Sequence, residues 1–174
     1  MSKNLKNKKI VISAGASGIG WTTTKLFLSR GATVFICDIN RNLINKTKKH
    51  PLNNKKLFSY ECDASSEKEV SFFFKQIIKK TKKLDALINN VGIAGPTKYL
   101  DKITNTEWEN TISTNLNSHF YFSKYSIPLL KKNKSGSIIN ISSSAGLYGF
   151  PQRTPYAASK WAIIGLTKSM AMEL

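Results

Sequence analysis

Five short runs of apolar residues alternate along the chain with longer segments in which apolar residues recur at helical spacing. The short runs are mostly apolar from end to end, which is typical of strands buried on both faces of a sheet. They lie at 9–13, 33–37, 56–62, 84–88 and 137–141. The helical segments lie at 21–29, 41–49, 67–80, 108–130 and 155–174.

The helical segment 67–80 has a clear amphipathic pattern, and Ser65 or Ser66 precedes it as a candidate N-cap. Its apolar residues are predicted to share one face: Val70, Phe73, Phe74, Ile77 and Ile78. The alternation of strands and helices predicts a parallel sheet with helices on both faces, a Rossmann-like, doubly wound α/β fold in one domain over 1–174. Such sheets bind ligands at the carboxyl ends of their strands.

A glycine-rich turn, 13–20, joins the first predicted strand to the first predicted helix. This is the context that a dinucleotide-binding turn requires, because glycines let the backbone approach a pyrophosphate and the helix start offers free N–H groups. The residues of this turn that we expect to contact a cofactor are Ser13, Gly15, Ser17, Gly18, Ile19 and Gly20.

Asp38 follows the second predicted strand, 18 positions after Gly20. A carboxylate at this place can accept hydrogen bonds from the diol of an adenine ribose and would repel a 2′-phosphate. We therefore expect Asp38 to bind the cofactor and NAD to be preferred over NADP, although Arg41 lies close. The alternative is that Asp38 only begins a turn.

Three more polar clusters directly follow predicted strands, namely Asp63, the segment 89–92 and the serines 142–144. The carboxyl ends of parallel strands meet at one edge of a sheet, so these clusters are expected to join the glycine turn and Asp38 in a single site.

Tyr156 and Lys160 lie four positions apart in the last predicted helix and would share one face. A positive charge about 5 Å from the phenol favours its ionised form by roughly 3 kcal/mol at an effective dielectric constant of about 20, which suits a proton donor and acceptor. Ser143 could donate a hydrogen bond to the same substrate oxygen. Lysine is abundant enough for this spacing to arise by chance, so its position after a strand, a serine cluster and the glycine turn carries the argument.

The composition is that of one globular domain of 174 residues with a formal net charge of +17 and a pI of about 10.0. The lysines are spread along the chain, which favours a solvated cationic surface over a specific nucleic-acid site.

No apolar run approaches the ~18 residues that span a membrane, and the apolar stretch at 10–12 is too short for a signal peptide, so we expect a cytoplasmic protein. Cys37 and Cys62 suit buried strand ends, and two isolated histidines indicate no metal site.

With these motifs the whole chain resembles the classical short-chain dehydrogenase/reductase family. The resemblance implies the strand order 3-2-1-4-5 and four catalytic residues, Asn115, Ser143, Tyr156 and Lys160. In the family the Tyr exchanges the proton, the Ser orients the carbonyl oxygen, the Lys holds the nicotinamide ribose, and the Asn supports a proton-relay water. The further cofactor contacts that it implies are Ile39, Asp63, Ala64, Asn90, Val91, Gly92, Tyr156 and Lys160.

Two departures from the family pattern stand out. Ala14 replaces the first glycine of the turn, and because alanine favours negative φ we expect a slightly altered turn that still binds cofactor. Family members also continue beyond the last helix, so the resemblance implies that the C-terminal substrate-binding part is missing. The fifth strand would then be an exposed edge of the sheet.

The function expected is that of an NAD-dependent alcohol dehydrogenase or carbonyl reductase acting on a secondary alcohol or ketone. A non-catalytic dinucleotide-binding or interaction module is the alternative, and a basic nucleic-acid-binding protein is the third hypothesis.

The candidate substrate contacts are Ser143, Tyr148, Phe150 and Arg153. The resemblance also implies a homodimer or homotetramer that pairs through the helices after Asn115 and Tyr156. The aromatic residues Phe120, Tyr121, Phe122 and Trp161 suit this interface or the monomer core.

Overall fold

In the computed structural model, which describes residues 4–52, 55–133 and 135–174, five parallel strands form one sheet in the order β3-β2-β1-β4-β5. The strands are β1 Lys9–Ile12, β2 Thr33–Asp38, β3 Leu57–Glu61, β4 Ala86–Asn89 and β5 Ser137–Asn140. The predicted fold class and strand order are confirmed. The order reverses between β1 and β4, which places a crevice at the carboxyl ends of these two strands.

Among the described residues, six α-helices connect or follow the strands: α1 Gly18–Ser29, α2 Arg41–Lys48, α3 Glu67–Lys80, α4 Asn105–Ile112, α5 Ser118–Leu130 and α6 Thr154–Glu173. The segment predicted as one helix over 108–130 is two helices joined by a π-helical turn, Ser113–Asn117. The Ser66 hydroxyl caps α3 by accepting a hydrogen bond from the Glu69 N–H. Of the apolar residues on one face of α3, Val70, Phe73, Phe74 and Ile77 are buried, and Ile78 is 40% exposed because it lies at the margin of this face.

Helices cover both faces of the sheet. Successive residues of a strand point to opposite faces, so each strand packs against helices on both sides. In β2, Phe35 packs in a cluster with residues of α3 and α5, whereas Ile36 packs on the other face with residues of α1 and α2. Phe122 of α5 is fully buried in the first cluster, so the core explains this aromatic residue. Phe120 and Trp161 are about half exposed.

The strand β5 forms one edge of the sheet, as predicted, and Ile139 at its centre is 47% exposed. A surface groove of about 500 Å³ lies beside it, lined by residues of α5 and α6 that include Leu130 and Met170. No helix within the described parts of the chain combines the length and the apolar character needed to cross a membrane.

Candidate active site and cofactor cleft

The glycine turn after β1 is shaped by two residues with left-handed backbone. Ala14 has φ +49° and Gly18 has φ +51°. The prediction that Ala14 would alter the turn by keeping a negative φ is therefore wrong: the alanine adopts the left-handed conformation, at a cost of about 1 kcal/mol. Gly20 is required for space, since a Cβ there would lie 2.1 Å from the carbonyl oxygen of Ala14.

The glycine turn is held against the segment that follows β4. The Ser13 hydroxyl oxygen accepts a hydrogen bond from the Asn90 N–H at 3.0 Å. The Asn90 side-chain amide donates in return to the carbonyl oxygen of Ala14 at 3.1 Å. Ser13 is 1% exposed. The side chains of Ser13 and Asn90, both predicted to contact cofactor, thus have protein partners and fix the backbone of the crevice.

The side of the crevice next to β2 carries the predicted adenosine contacts. Asp38 is the last residue of β2, and its carboxylate accepts a hydrogen bond from the Asn40 N–H at 3.0 Å. Ile19 and Ile39 are each 67% exposed. The Asp63 carboxylate accepts from the Ser65 N–H at 2.8 Å. That these residues bind the adenosine part of a cofactor stays a prediction.

Tyr156 and Lys160 lie on α6, as predicted. The Lys160 ammonium lies 5.6 Å from the centroid of the Tyr156 ring and donates a hydrogen bond to the carbonyl oxygen of Ile141 at 2.9 Å. Lys160 is 4% exposed, and this burial lowers the pKa of its ammonium. A Cβ on Gly92 would lie 3.2 Å from the Lys160 nitrogen, so the chain after β4 approaches the lysine closely.

Ser143 lies at the start of a 3₁₀ turn, Ser144–Gly146, that follows β5. Its hydroxyl oxygen accepts a hydrogen bond from the Ala145 N–H at 3.2 Å, which leaves the hydroxyl proton free for another acceptor. The turn is fastened to α6 because the Ser142 hydroxyl donates to the carbonyl oxygen of Lys160 at 2.9 Å.

Asn115 is fully buried in the π-helical turn between α4 and α5. Its side-chain oxygen accepts from the Ile93 N–H at 2.7 Å, and its side-chain nitrogen donates to the Ile93 carbonyl oxygen and to the Ser159 hydroxyl, each at 3.0 Å. The amide therefore joins the loop after β4 to α6. π-Helical turns are rare and occur often at functional sites.

Comparison with known proteins identifies the family of this chain. Residues 8–174 match the family model described as short chain dehydrogenase. The chain belongs to the short-chain dehydrogenase family. It is 36% identical over 171 residues to a 3-oxoacyl-[acyl-carrier-protein] reductase of Thermotoga maritima, a match that covers 98% of this chain and 69% of the relative.

Two further relatives extend this picture. A 3beta-hydroxysteroid dehydrogenase of Mediterraneibacter gnavus is 35% identical, with 96% of this chain and 61% of the relative covered. The solved structure described as ElxO with NADP bound is 32% identical, with a TM-score of 0.87 and coverage of 96% of this chain and 68% of that one. The chain thus spans about two thirds of the length of these short-chain dehydrogenases.

Sequence reasoning missed His119, which lies one helical turn after Asn115 and is fully buried. Burial, and secondarily the charge of Lys160, lowers the pKa of its imidazole from 6.5 to about 4. Its Nε2 atom has no hydrogen-bond partner among the described residues. The i, i+4 spacing from Asn115 was the signal that could have drawn attention to it.

The candidate substrate residues occupy different surroundings. Tyr148 is 70% exposed, and the Phe150 ring lies 6.3 Å from the Tyr156 ring, centroid to centroid. The Arg153 guanidinium donates hydrogen bonds to the carbonyl oxygens of Ala94 at 3.1 Å and Gly95 at 2.7 Å. The segment before Tyr156 is therefore connected to the loop after β4.

Proposed function

We propose that this protein is an NAD(P)-dependent oxidoreductase in which a hydride passes between nicotinamide and a secondary alcohol or ketone. The observation that carries the proposal is the buried Lys160 ammonium, 5.6 Å from the Tyr156 ring and in close approach to Gly92 at the carboxyl edge of the sheet. Gly20 lets the glycine turn pack closely on Ala14, and Gly92 lets the chain after β4 approach Lys160. A dinucleotide bound along this edge of the sheet would supply the hydride chemistry.

Tyr156 is the proposed proton donor for ketone reduction and proton acceptor for alcohol oxidation. Lys160 stabilises the phenolate that forms when Tyr156 gives up its proton. The Ser143 hydroxyl, which keeps its proton free, donates to the oxygen of the substrate. Asn115 acts through other residues, since its amide is occupied by Ile93 and Ser159.

Asp38 supports a preference for NAD over NADP. At about 5 Å a carboxylate and one negative charge of a 2′-phosphate repel each other by roughly 1–3 kcal/mol for effective dielectric constants from 80 to 20. Arg41, the nearby cation, makes an ion pair with Glu61 at 2.9 Å instead of lying free. The NADP bound to ElxO argues for the opposite preference, so a direct comparison of the two cofactors is needed.

The substrate class is supported by what two relatives are named for. A 3-oxoacyl group contains a ketone, and a 3beta-hydroxysteroid contains a secondary alcohol. The chemistry common to both is interconversion of a ketone and a secondary alcohol. We further propose a cytoplasmic homodimer or homotetramer without specific nucleic-acid or membrane partners, which the exposed rings of Phe120 on α5 and Trp161 on α6 support.

The test begins with titration of the purified chain with NADH and NADPH, with Asp38→Ala as the matched variant. We expect NADH to bind about 5- to 150-fold more tightly than NADPH, in line with the repulsion above, and the variant to lose this preference. Binding of neither cofactor by the folded chain would contradict the proposal.

Turnover is measured next with a panel of small ketones. Tyr156→Phe is expected to lower kcat by about 10²-fold or more while NADH binds as before, because the ring remains and the hydroxyl group that exchanges the proton is lost. Cofactor binding without turnover of any ketone would favour the alternative, a dinucleotide-binding module without catalysis.

A further inference from the structure

We infer that Arg153 is a positioning residue that fastens the loop 93–96 to the start of α6 and so holds the surroundings of Tyr156 in place. This inference rests on the proposed function, because it concerns the surroundings of Tyr156. It gives Arg153 a different role from the substrate contact that the sequence indicated.

The hydrogen bonds of the guanidinium carry the inference. Nη1 of Arg153 donates to the carbonyl oxygen of Gly95 at 2.7 Å and to that of Ala94 at 3.1 Å. These residues are separated from Arg153 by 58 and 59 positions. Hydrogen bonds from a charged donor are roughly twice as strong as neutral ones, so the contact is a substantial long-range link.

Neighbouring contacts bring the same two segments together. The Lys98 N–H donates to the carbonyl oxygen of Gln152 at 3.0 Å, directly beside Arg153. At the other end of the loop the Asn115 amide binds both backbone groups of Ile93. The loop is thus held at Ile93 and at Lys98, and Arg153 binds the part between them. Without Arg153 the carbonyl oxygens of Ala94 and Gly95 would face solvent.

The opposite side of the loop has open space. A surface cavity of about 420 Å³ lies between the loop and α4, with Ile93, Pro96 and Asn110 among its lining residues. Gly95 itself fits closely, since it has φ +65° and a Cβ there would lie 2.7 Å from the Thr111 hydroxyl oxygen. Without the guanidinium the rest of the loop can shift into this cavity, away from α6.

A shift of the loop would reach the reacting groups through short connections. Arg153 is the N-cap residue of α6, and Tyr156 lies in the first turn of that helix. The Phe150 ring packs on Tyr156 from the segment that precedes Arg153. Removal of the guanidinium thus loosens both the loop and the approach to Tyr156, while the adenosine side of the crevice, on β2, stays as it is.

The test combines hydrogen exchange with kinetics for Arg153→Ala and Arg153→Lys, with Arg30→Ala at the end of α1 as the matched control. In Arg153→Ala we expect amide exchange within 93–98 to accelerate about tenfold, as for a locally opened segment, and exchange in β1 and β2 to stay unchanged. NADH affinity is expected to stay within about twofold of wild type. Arg30→Ala should leave exchange in 93–98 unaltered.

Kinetics separate positioning from substrate binding. For Arg153→Ala we expect kcat to fall about tenfold for neutral and acidic ketones alike, since misplacement affects the reacting geometry. Arg153→Lys, which keeps a positively charged donor group at this place, and guanidinium ion added to Arg153→Ala should each restore part of kcat. A higher KM for acidic ketones alone, with kcat unchanged, would identify a substrate contact and overturn the inference.

Unaltered exchange of residues 93–98 in Arg153→Ala would also overturn it, whatever the turnover. If the unsubstituted chain reduces no ketone, the proposed function fails, and a positioning role for catalysis fails with it. The exchange experiment still decides separately whether Arg153 holds the loop.

Discussion

His119 is expected to make the stability of the protein depend on pH in the mildly acidic range. The imidazole is fully buried next to Asn115, and burial followed by the nearby charge of Lys160 lowers its pKa to about 4. Carbonyl oxygens of Asn115 and Asn89 favour the protonated ring, but they do not offset these two effects. In the unfolded chain the imidazole titrates near 6.5.

The sign follows from proton binding. Between pH 6.5 and pH 4 the unfolded chain binds more protons at this position than the folded chain. The contribution of neutral His119 to the free energy of unfolding is therefore fully present above pH 6.5, and it is lost as the pH falls towards 4. The gap between pKa values of 6.5 and about 4 corresponds to about 3 kcal/mol of unfolding free energy, of which most is lost by pH 4.

The measurement is urea denaturation of the wild-type chain and of His119→Gln at several values between pH 7.5 and pH 4. The glutamine keeps a polar side chain but removes the titration. We expect the variant to be less stable at pH 7.5, by about 1–2 kcal/mol, and the difference to vanish or reverse near pH 4. Carboxyl groups titrate in both proteins, so only the difference between the two curves reports on His119.

Parallel stability curves for the two proteins would refute the reasoning. They would mean that the His119 ring gains solvent or an acceptor for its Nε2 hydrogen when it is protonated. Equal denaturant dependence, the m value, in both proteins is the control that their unfolding exposes the same surface.

Two substitutions test the geometry of the glycine turn, one through cofactor affinity and the other through stability. Gly20→Ala places a Cβ 2.1 Å from the carbonyl oxygen of Ala14 and 2.7 Å from the Asn90 amide nitrogen. It should raise the dissociation constant for NADH at least about tenfold, and unchanged affinity would contradict the close approach of the turn. Ala14→Gly relieves a left-handed alanine and should stabilise the protein by about 0.5–1 kcal/mol, or about 1–3 °C in Tm, as measured by thermal unfolding. A lower Tm would contradict the positive φ at Ala14.

Local pattern was enough to predict the layers of the fold. Runs such as the one that ends at Asp38 are apolar throughout because both faces of the strand are covered, and the alternation with helices leaves few topologies. The four-residue spacing of Tyr156 and Lys160 placed them together because helical geometry is fixed over one turn. The structure brings both side chains together on α6, and the catalytic role of the pair stays a prediction.

The tertiary structure was needed wherever a residue depends on a segment distant in sequence. The backbone of Ala14 takes a positive φ in a turn held by Asn90, 76 positions away. The turn at Asn115 is π-helical, and its amide bonds to Ile93 and Ser159 on both sides of it in the sequence. No local preference specifies these contacts.

Arg153 and His119 show most clearly the difference between what the sequence pattern predicts and what tertiary contacts decide. An arginine before a candidate catalytic tyrosine suggests a ligand for an acidic substrate, yet its guanidinium donates to carbonyl oxygens 58 and 59 positions earlier. The position of a single histidine in the sequence predicts no role for it, because the low pKa of His119 depends on its burial in the folded chain. Periodicity along the chain determined which elements form and which edge of the sheet carries the polar groups. The partners, burial and charge state of each group depend on how those elements pack, because desolvation and long-range hydrogen bonds exist only in the folded chain.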